Sequence, residues 1–135
     1  MTPETLLSMA REAMMNAYAP YSGFFVGAAL LTKSGRVYTG CNIENGAFSP
    51  TNCAERTAFF KAVYDGHRDF VAIAVCGGKD GVIEGLFPPC GVCRQVMREF
   101  CSDDFLIHMI TKDGWETHTL AEILPFSFSA AEHMG

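Results

Sequence analysis

Apolar and polar positions along this chain follow two periods, one typical of helices and one typical of strands. From Pro3 to Tyr18 apolar residues recur at helical spacing, with Thr2 as a suitable N-cap and Pro20 as the stop signal. Apolar stretches on either side of Ser34-Gly35 and of Asp113-Gly114 predict two strand hairpins. We predict helices over 3–18, 53–64, 91–100 and 120–124, and strands over 24–31, 36–40, 70–75, 105–110 and 115–119.

The predicted elements alternate in the order α-β-β-α-β-α-β-β-α. Strands that alternate with helices favour a layered α/β fold, and the two hairpins require a sheet of mixed strand direction. The connecting segments 42–52 and 77–89 are polar or rich in glycine and proline, which is typical of loops. With 135 residues and no evident linker, residues 1–135 are expected to form a single domain.

Composition narrows the possible partners. The net charge is -5, and the ten Lys and Arg residues are scattered, which argues against nucleic-acid binding. The hydrophobic fraction of 49% is slightly high for this size, so we expect some apolar surface to be buried between subunits. The N-terminal sequence lacks a basic leader and no apolar run reaches membrane-spanning length, so a cytoplasmic protein without a membrane partner is expected. Six cysteines in that reducing compartment favour metal binding over disulfides.

Three cysteines have the spacing of a metal site. Cys90 and Cys93 form a C-x-x-C pair, and Cys53 lies at another predicted helix start, where the helix dipole lowers thiol pKa. Three thiolates without a fourth ligand predict a zinc site with an open position for water. A C-x-x-C pair can also be redox-active, structural or simply buried, and a structural zinc needs a fourth ligand. The formal candidates for that ligand, none with a second ligand pair's spacing, are Cys41, Cys76, Cys101, His67 and His108. For those three cysteines we expect a role as small buried filler.

Two charged residues follow Cys53 in the predicted helix. Glu55 at a helix start can serve only to complement the helix dipole, but beside a metal-bound water it can move the water's protons. Arg56 lies within the same turn and could hydrogen-bond a thiolate, which would reduce the negative charge around the metal. The pattern C-x-E with P-C-x-x-C matches the zinc deaminases, in which a non-ligand glutamate is the general acid and base.

Over nearly its whole length the chain resembles the cytidine deaminase family, in particular its small, homotetrameric, three-cysteine branch. The stretches that carry the resemblance are Phe24-Phe25-Val26-Gly27-Ala28-Ala29-Leu30, Gly40-Cys41-Asn42-Ile43-Glu44-Asn45, Cys53-Ala54-Glu55-Arg56-Thr57-Ala58, Pro89-Cys90-Gly91-Val92-Cys93-Arg94-Gln95 and Leu124-Pro125-Phe126. The resemblance implies a three-layer α/β/α sandwich around a mixed five-stranded sheet. It also implies one Zn²⁺ per subunit and a homotetramer.

The same resemblance assigns substrate contacts. Asn42 and Glu44 would hold the ribose 3′-hydroxyl, although a polar turn after a strand is the ordinary explanation for such a pair. Phe24 would pack against the pyrimidine, and otherwise is a core aromatic. The Ala54 backbone N–H would face the base carbonyl.

Two further aromatic residues, Phe48 and Phe126, would reach the site from neighbouring subunits, and otherwise pack within a loop and the tail. The chain departs from its relatives at Phe48, where tyrosine is frequent, and at Cys41, where an apolar residue is usual. Both departures bear on affinity or assembly and leave the reaction type unchanged.

The implied reaction is the hydrolytic deamination of cytidine and 2′-deoxycytidine to uridine and 2′-deoxyuridine, with Glu55 moving protons to N3 and then to the leaving amino group. One alternative is a deaminase of another aminopyrimidine such as blasticidin S, against which Asn42-x-Glu44 indicates a ribose. A nucleic-acid editor is opposed by the acidic charge. A zinc-stabilised binding module would need a saturated four-ligand shell.

Overall fold

A computed structural model describes all residues 1–135. The helices are α1 (Pro3–Met14), α2 (Ala54–Tyr64), α3 (Gly91–Phe100), α4 (Leu120–Ile123) and α5 (Ala130–His133). The strands are β1 (Phe24–Thr32), β2 (Val37–Cys41), β3 (Phe70–Lys79), β4 (Leu106–Thr111) and β5 (Gly114–Thr119). The predicted element order is therefore confirmed, and the short C-terminal α5 is added to it.

One mixed sheet organises these elements. Its five strands lie in the order β2-β1-β3-β4-β5. Every neighbouring pair is antiparallel except β3 and β4, which are parallel and joined through α3. Alternate residues of β3 point to opposite faces, so that Ile73 and Val75 belong to one core and Ala72 and Ala74 to another.

The two cores belong to the two faces of the sheet. Leu6, Ala10 and Met14 of α1 fill the core on one face, whereas Phe59 of α2 and Met97 of α3 fill the core on the other. The protein is thus a three-layer α/β/α sandwich with a mixed five-stranded sheet, as predicted. Phe59 stacks on Phe100 and packs against the rings of Phe70 and Phe105 in the larger core, which fixes α2 against the sheet.

Glycines let both helical layers approach the sheet closely. A Cβ on Gly27 of β1 would lie 2.0 Å from the Ala10 carbonyl oxygen in α1. A Cβ on Gly40 of β2 would lie 2.5 Å from the Ala54 carbonyl oxygen, at the first turn of α2. Real Cβ atoms cannot occupy such positions, so glycine at both sites sets the spacing of the layers.

The first predicted helix is too long by one turn. It ends at Met14 rather than Tyr18, because the backbone of Tyr18 pairs instead with the segment after β2. The Tyr18 N–H donates to the Asn42 carbonyl at 3.0 Å, and the Glu44 N–H donates to the Tyr18 carbonyl at 2.8 Å. This pairing ties the 42–44 segment to the end of α1.

Smaller boundary differences have local causes. β3 extends to Lys79, because Gly77 and Gly78 continue to pair with β1 beyond the predicted end. In the last hairpin Thr111 pairs with Gly114, so the loop is 112–113 and the glycine belongs to β5. Cys76 and Cys101 are buried as expected, whereas Cys41 at the end of β2 is only half-buried. None of the helices has the length and apolarity needed to cross a membrane.

Candidate active site

Two helix N-termini on the same face of the sheet define the site. Cys53 is the N-cap of α2 and Cys90 is the N-cap of α3, and both have extended backbone angles. Neither thiol caps its helix with a hydrogen bond, so both sulfurs are available for other partners. The unpaired N–H groups of a helix start carry partial positive charge, which favours thiolates at these positions.

The sulfur atoms of Cys53, Cys90 and Cys93 gather within 4.8 Å of one another. The Cys53 and Cys90 sulfurs are 3.8 Å apart, and the Cys90 and Cys93 sulfurs are 3.6 Å apart. Tetrahedral zinc with Zn–S bonds of about 2.3 Å separates its sulfur ligands by about 3.8 Å. The donor set therefore fits Zn²⁺.

No fourth cysteine, histidine or carboxylate joins this cluster. The five candidates for a fourth ligand lie elsewhere, and His108 is engaged by Thr117 at 2.8 Å. Three protein ligands leave one tetrahedral position open, which is the arrangement of a catalytic rather than a structural zinc.

Glu55 is buried beside the cluster, in the first turn of α2, with only 4% of its surface exposed. Burial raises the pKa of this carboxyl to about 7, and the nearby Cys53 sulfur adds to the rise. A carboxyl that titrates near neutral pH can both accept and donate a proton under physiological conditions.

Arg56 contacts the metal ligands directly. Its Nη2 donates to the Cys53 sulfur at 3.1 Å. The adjacent Cys93 thiol and Arg56 together lower the pKa of Cys53 to about 5, despite partial burial. The guanidinium is thus placed to stabilise thiolate charge at the cluster. The Arg56 Nε is buried and has no hydrogen-bond partner.

Asn42 is buried behind Phe24 and braces its backbone. Its Oδ1 accepts from the Val26 N–H at 2.9 Å, and its Nδ2 donates to the Phe24 carbonyl at 2.8 Å. The amide keeps one further N–H for a ligand. The Phe24 ring is 41% exposed, between Phe87, at 5.9 Å between centroids, and the Lys79 ammonium, 5.3 Å from its centroid. The Phe24 ring therefore presents an apolar surface to solvent while its contacts with Phe87 and Lys79 hold it in place.

Glu44 is held by the turn that precedes β1. Its Oε1 accepts from the N–H groups of Tyr21 and Ser22 at 2.9 and 3.1 Å, and its Oε2 accepts from the Ser22 hydroxyl. The Ser22 hydroxyl hydrogen bond lowers the pKa of Glu44, as do the two backbone donors. Sequence reasoning missed Ser22, because the contact joins positions 22 residues apart and no local pattern indicates it.

Phe48 and Phe126 do not reach the sulfur cluster of their own chain. Phe48 is 71% exposed in the loop that also carries Glu44, and Phe126 is fully exposed in the C-terminal tail. Both have positive φ, 65° and 54°, which is uncommon for a bulky residue. The Ala54 residue is fully buried at the first position of α2, where its N–H has no helical partner.

The chain is similar to known proteins over almost its whole length. Residues 1–109 match the family model described as the cytidine and deoxycytidylate deaminase zinc-binding region. The chain is 50% identical over 130 residues to a cytidine deaminase of Sporosarcina psychrophila, covering 96% of this chain and 93% of that protein. It is 47% identical over 133 residues to a cytidine deaminase of Halalkalibacterium halodurans, covering 98% of both.

Solved structures agree. The crystal structure of a cytidine deaminase from Burkholderia pseudomallei superposes with a TM-score of 0.87 at 42% identity, covering 95% of this chain and all of that one. A cytidine deaminase from Mycobacterium tuberculosis superposes with a TM-score of 0.81 at 36% identity, covering 95% and 98% of the two chains. With the sulfur cluster and the buried glutamate in place, the chain belongs to the cytidine and deoxycytidylate deaminase family.

Proposed function

We propose that this protein is a zinc-dependent deaminase that hydrolyses cytidine and 2′-deoxycytidine to uridine and 2′-deoxyuridine with release of ammonia. The observation that carries the proposal is a cluster of three cysteine sulfurs, from the starts of α2 and α3, beside the buried Glu55 carboxyl. Relatives named cytidine deaminase at 47–50% identity over almost the whole chain support the same reaction.

Cys53, Cys90 and Cys93 would hold one Zn²⁺ per chain. A zinc ion bound there would supply a nucleophile at neutral pH, because it lowers the pKa of bound water to about 7. Arg56 offsets part of the negative charge of the three thiolates through its contact with Cys53.

Glu55 moves the protons. Its carboxylate takes a proton from the attacking water and delivers it to N3 of the pyrimidine ring, which makes C4 more electrophilic. The water oxygen adds to C4, which becomes tetrahedral. Glu55 then takes the remaining proton from the new C4 hydroxyl and delivers it to the amino nitrogen. The C4–N bond breaks as the C4 carbonyl forms, and ammonia leaves. The raised pKa of about 7 suits a group that must alternate between acid and base.

The nucleoside is held at both ends. Phe24 packs against the pyrimidine ring, and the Ala54 N–H at the start of α2 faces the base carbonyl. Asn42 and Glu44 bind the ribose 3′-hydroxyl, with the amide as donor and the carboxylate as acceptor. The hydrogen bonds from the Ser22 N–H and hydroxyl support this assignment, because they fix the Glu44 carboxylate in one orientation.

We further propose a cytoplasmic homotetramer in which residues 1–135 are one catalytic domain, and Phe48 and Phe126 enter neighbouring sites. The exposure of both phenylalanine rings supports this assembly, because it leaves their apolar surface available to a partner subunit. Thiol ligands must stay reduced, which supports the cytoplasm. Sedimentation equilibrium tests the tetramer, and an active monomer would contradict it.

The first experiment follows the absorbance of cytidine with zinc-loaded protein and measures ammonia in parallel. We expect stoichiometric conversion to uridine. Competition between cytidine and other aminopyrimidine compounds, including blasticidin S, then tests the substrate class. Zinc binding without turnover of cytidine would contradict the proposed reaction, and unfolding on chelation without turnover of any aminopyrimidine would favour a binding module.

A further inference from the structure

One arginine on α3 contacts both the metal-binding loop and the C-terminal tail. Arg94 is half-buried one turn after Cys90, and its own N–H closes the first turn of α3 on the Cys90 carbonyl at 3.0 Å. Its Nε donates to the Pro89 carbonyl at 2.7 Å, and its Nη1 donates to the Ile123 carbonyl at 2.6 Å. The planar guanidinium therefore joins two segments that lie far apart in sequence.

The contact with Pro89 bears on the metal ligand. The Pro89 carbonyl and the Cys90 nitrogen share one planar peptide group, so a hydrogen bond to the carbonyl fixes the plane from which Cys90 begins. Pro89 is fully buried, whereas Cys90 is exposed and its thiol does not cap the helix. Packing alone therefore does not fix the Cys90 sulfur, and the Arg94 contact supplies a second restraint.

The contact with Ile123 bears on the tail. Ile123 ends α4, and its carbonyl is one of the groups that a helix leaves without an internal partner. Gln95, the next residue of α3, donates to the Phe128 carbonyl at 2.8 Å. The two side chains thus hold the tail on both sides of Phe126, whose side chain is fully exposed.

We propose that Arg94 is a positioning residue that holds the Cys90 ligand and the Phe126 tail in a fixed relation. The part that concerns Phe126 rests on the proposed function, in which this ring enters a neighbouring substrate site. The part that concerns Cys90 depends only on metal binding. Lysine cannot replace arginine here, because a single ammonium does not reproduce a planar fork aimed at two carbonyls.

The test compares Arg94→Lys with two control variants. Arg68→Lys is the matched control, because Arg68 Nη1 also donates to two backbone carbonyls, of Val63 at 2.8 Å and of His67 at 3.0 Å, outside the site. Gln95→Ala removes a tail contact and leaves the Pro89 contact in place. Zinc loss to excess chelator is measured without substrate, and KM and kcat for cytidine are measured separately.

We expect Arg94→Lys to lose zinc about 10-fold faster than the parent protein, as expected for a residue that orients a metal ligand. The thiolate-to-metal charge-transfer band of its cobalt-substituted form should shift. Arg68→Lys should behave like the parent in both measurements. Gln95→Ala should release zinc at the parent rate and raise KM, whereas Arg94→Lys should change zinc release and KM together.

Parent-like zinc release and an unshifted cobalt band in Arg94→Lys would overturn the proposal. If circular dichroism shows that Arg94→Lys is poorly folded, Arg94→Gln takes its place in the same zinc-release and cobalt measurements. The glutamine amide can still donate to one of the two carbonyls. A parent protein that binds zinc but does not deaminate cytidine would refute the proposed function and leave the zinc-release result valid. The two failures are therefore distinguishable.

Discussion

The helices on the two faces of the sheet are capped differently at their N-termini. On one face, α1 begins at Thr2, whose hydroxyl accepts from the Thr5 N–H at 3.2 Å in an ordinary N-cap. On the other face, α2 and α3 begin at Cys53 and Cys90, whose sulfurs make no capping bond. A hydroxyl or carboxylate N-cap contributes about 0.5–2 kcal/mol to stability. The site face thus forgoes that stabilisation at two helix starts and gains two metal ligands.

The largest effect should follow a change that spares the thiol cluster. Glu55→Gln keeps the shape of the buried side chain and removes its acid–base capacity, so kcat should fall by about 10²- to 10⁴-fold. Zinc content, measured by atomic absorption, should remain one per chain. Near-normal kcat in this variant would exclude Glu55 as the group that moves the protons.

The two close-packing glycines allow the same substitution on both faces. The methyl of Gly27→Ala would overlap the Ala10 carbonyl oxygen of α1, and that of Gly40→Ala would overlap the Ala54 carbonyl oxygen of α2, so the helix must shift in each variant. Each should lower the free energy of unfolding by about 1–3 kcal/mol, as overpacking does. Urea titration gives that quantity.

Zinc affinity should separate the two glycine variants. Gly40→Ala pushes on the first turn of α2, next to Cys53, and should weaken zinc binding, whereas Gly27→Ala should not. Chelator competition on the folded proteins measures this difference. Equal zinc affinities in both variants would show that the start of α2 can shift without disturbing the Cys53 ligand.

A smaller effect, on KM, is expected from loss of the hydrogen bond between the Ser22 hydroxyl and Glu44. Ser22→Ala removes the hydroxyl that donates to Glu44 and should raise KM for cytidine by roughly 3- to 10-fold, the size of one hydrogen bond, with little change in kcat. Ser102→Ala is the matched control, since Ser102 also donates to a nearby carboxylate, Asp104, away from the site. An unchanged KM would separate Glu44 from substrate binding.

Sequence reasoning located the metal ligands because their signals are local. C-x-x-C spacing and two helix starts are visible within a few residues, and the structure brings those sulfurs together. The arrangement of Ser22 with Glu44 and of Arg94 with Ile123 could not be predicted in this way, because each joins segments more than 20 residues apart. The early end of α1 has the same cause, since Tyr18 pairs with Ile43 across the chain.

On the α1 face of the sheet, a buried histidine should make the free energy of unfolding depend on pH without affecting the active site. His108 lies on β4 beside Ala74, a residue of the α1 core, and is 5% exposed. Burial lowers its pKa below the ordinary value of 6.5. Between that lowered value and 6.5 the unfolded chain binds a proton that the folded chain does not. Stability should therefore fall as pH decreases through this window.

His108→Gln should remove this contribution, so the difference in unfolding free energy between the two proteins should change with pH only below about 6.5. Urea titrations from pH 5 to 8 at saturating zinc measure it. The comparison uses the slope with pH, because loss of the 2.8 Å contact between His108 and Thr117 shifts the variant's stability by a constant amount. Parallel pH profiles would show that this histidine is protonated as readily in the folded protein as in the unfolded chain. The α1 face would then be less closed to water than its small-residue packing indicates.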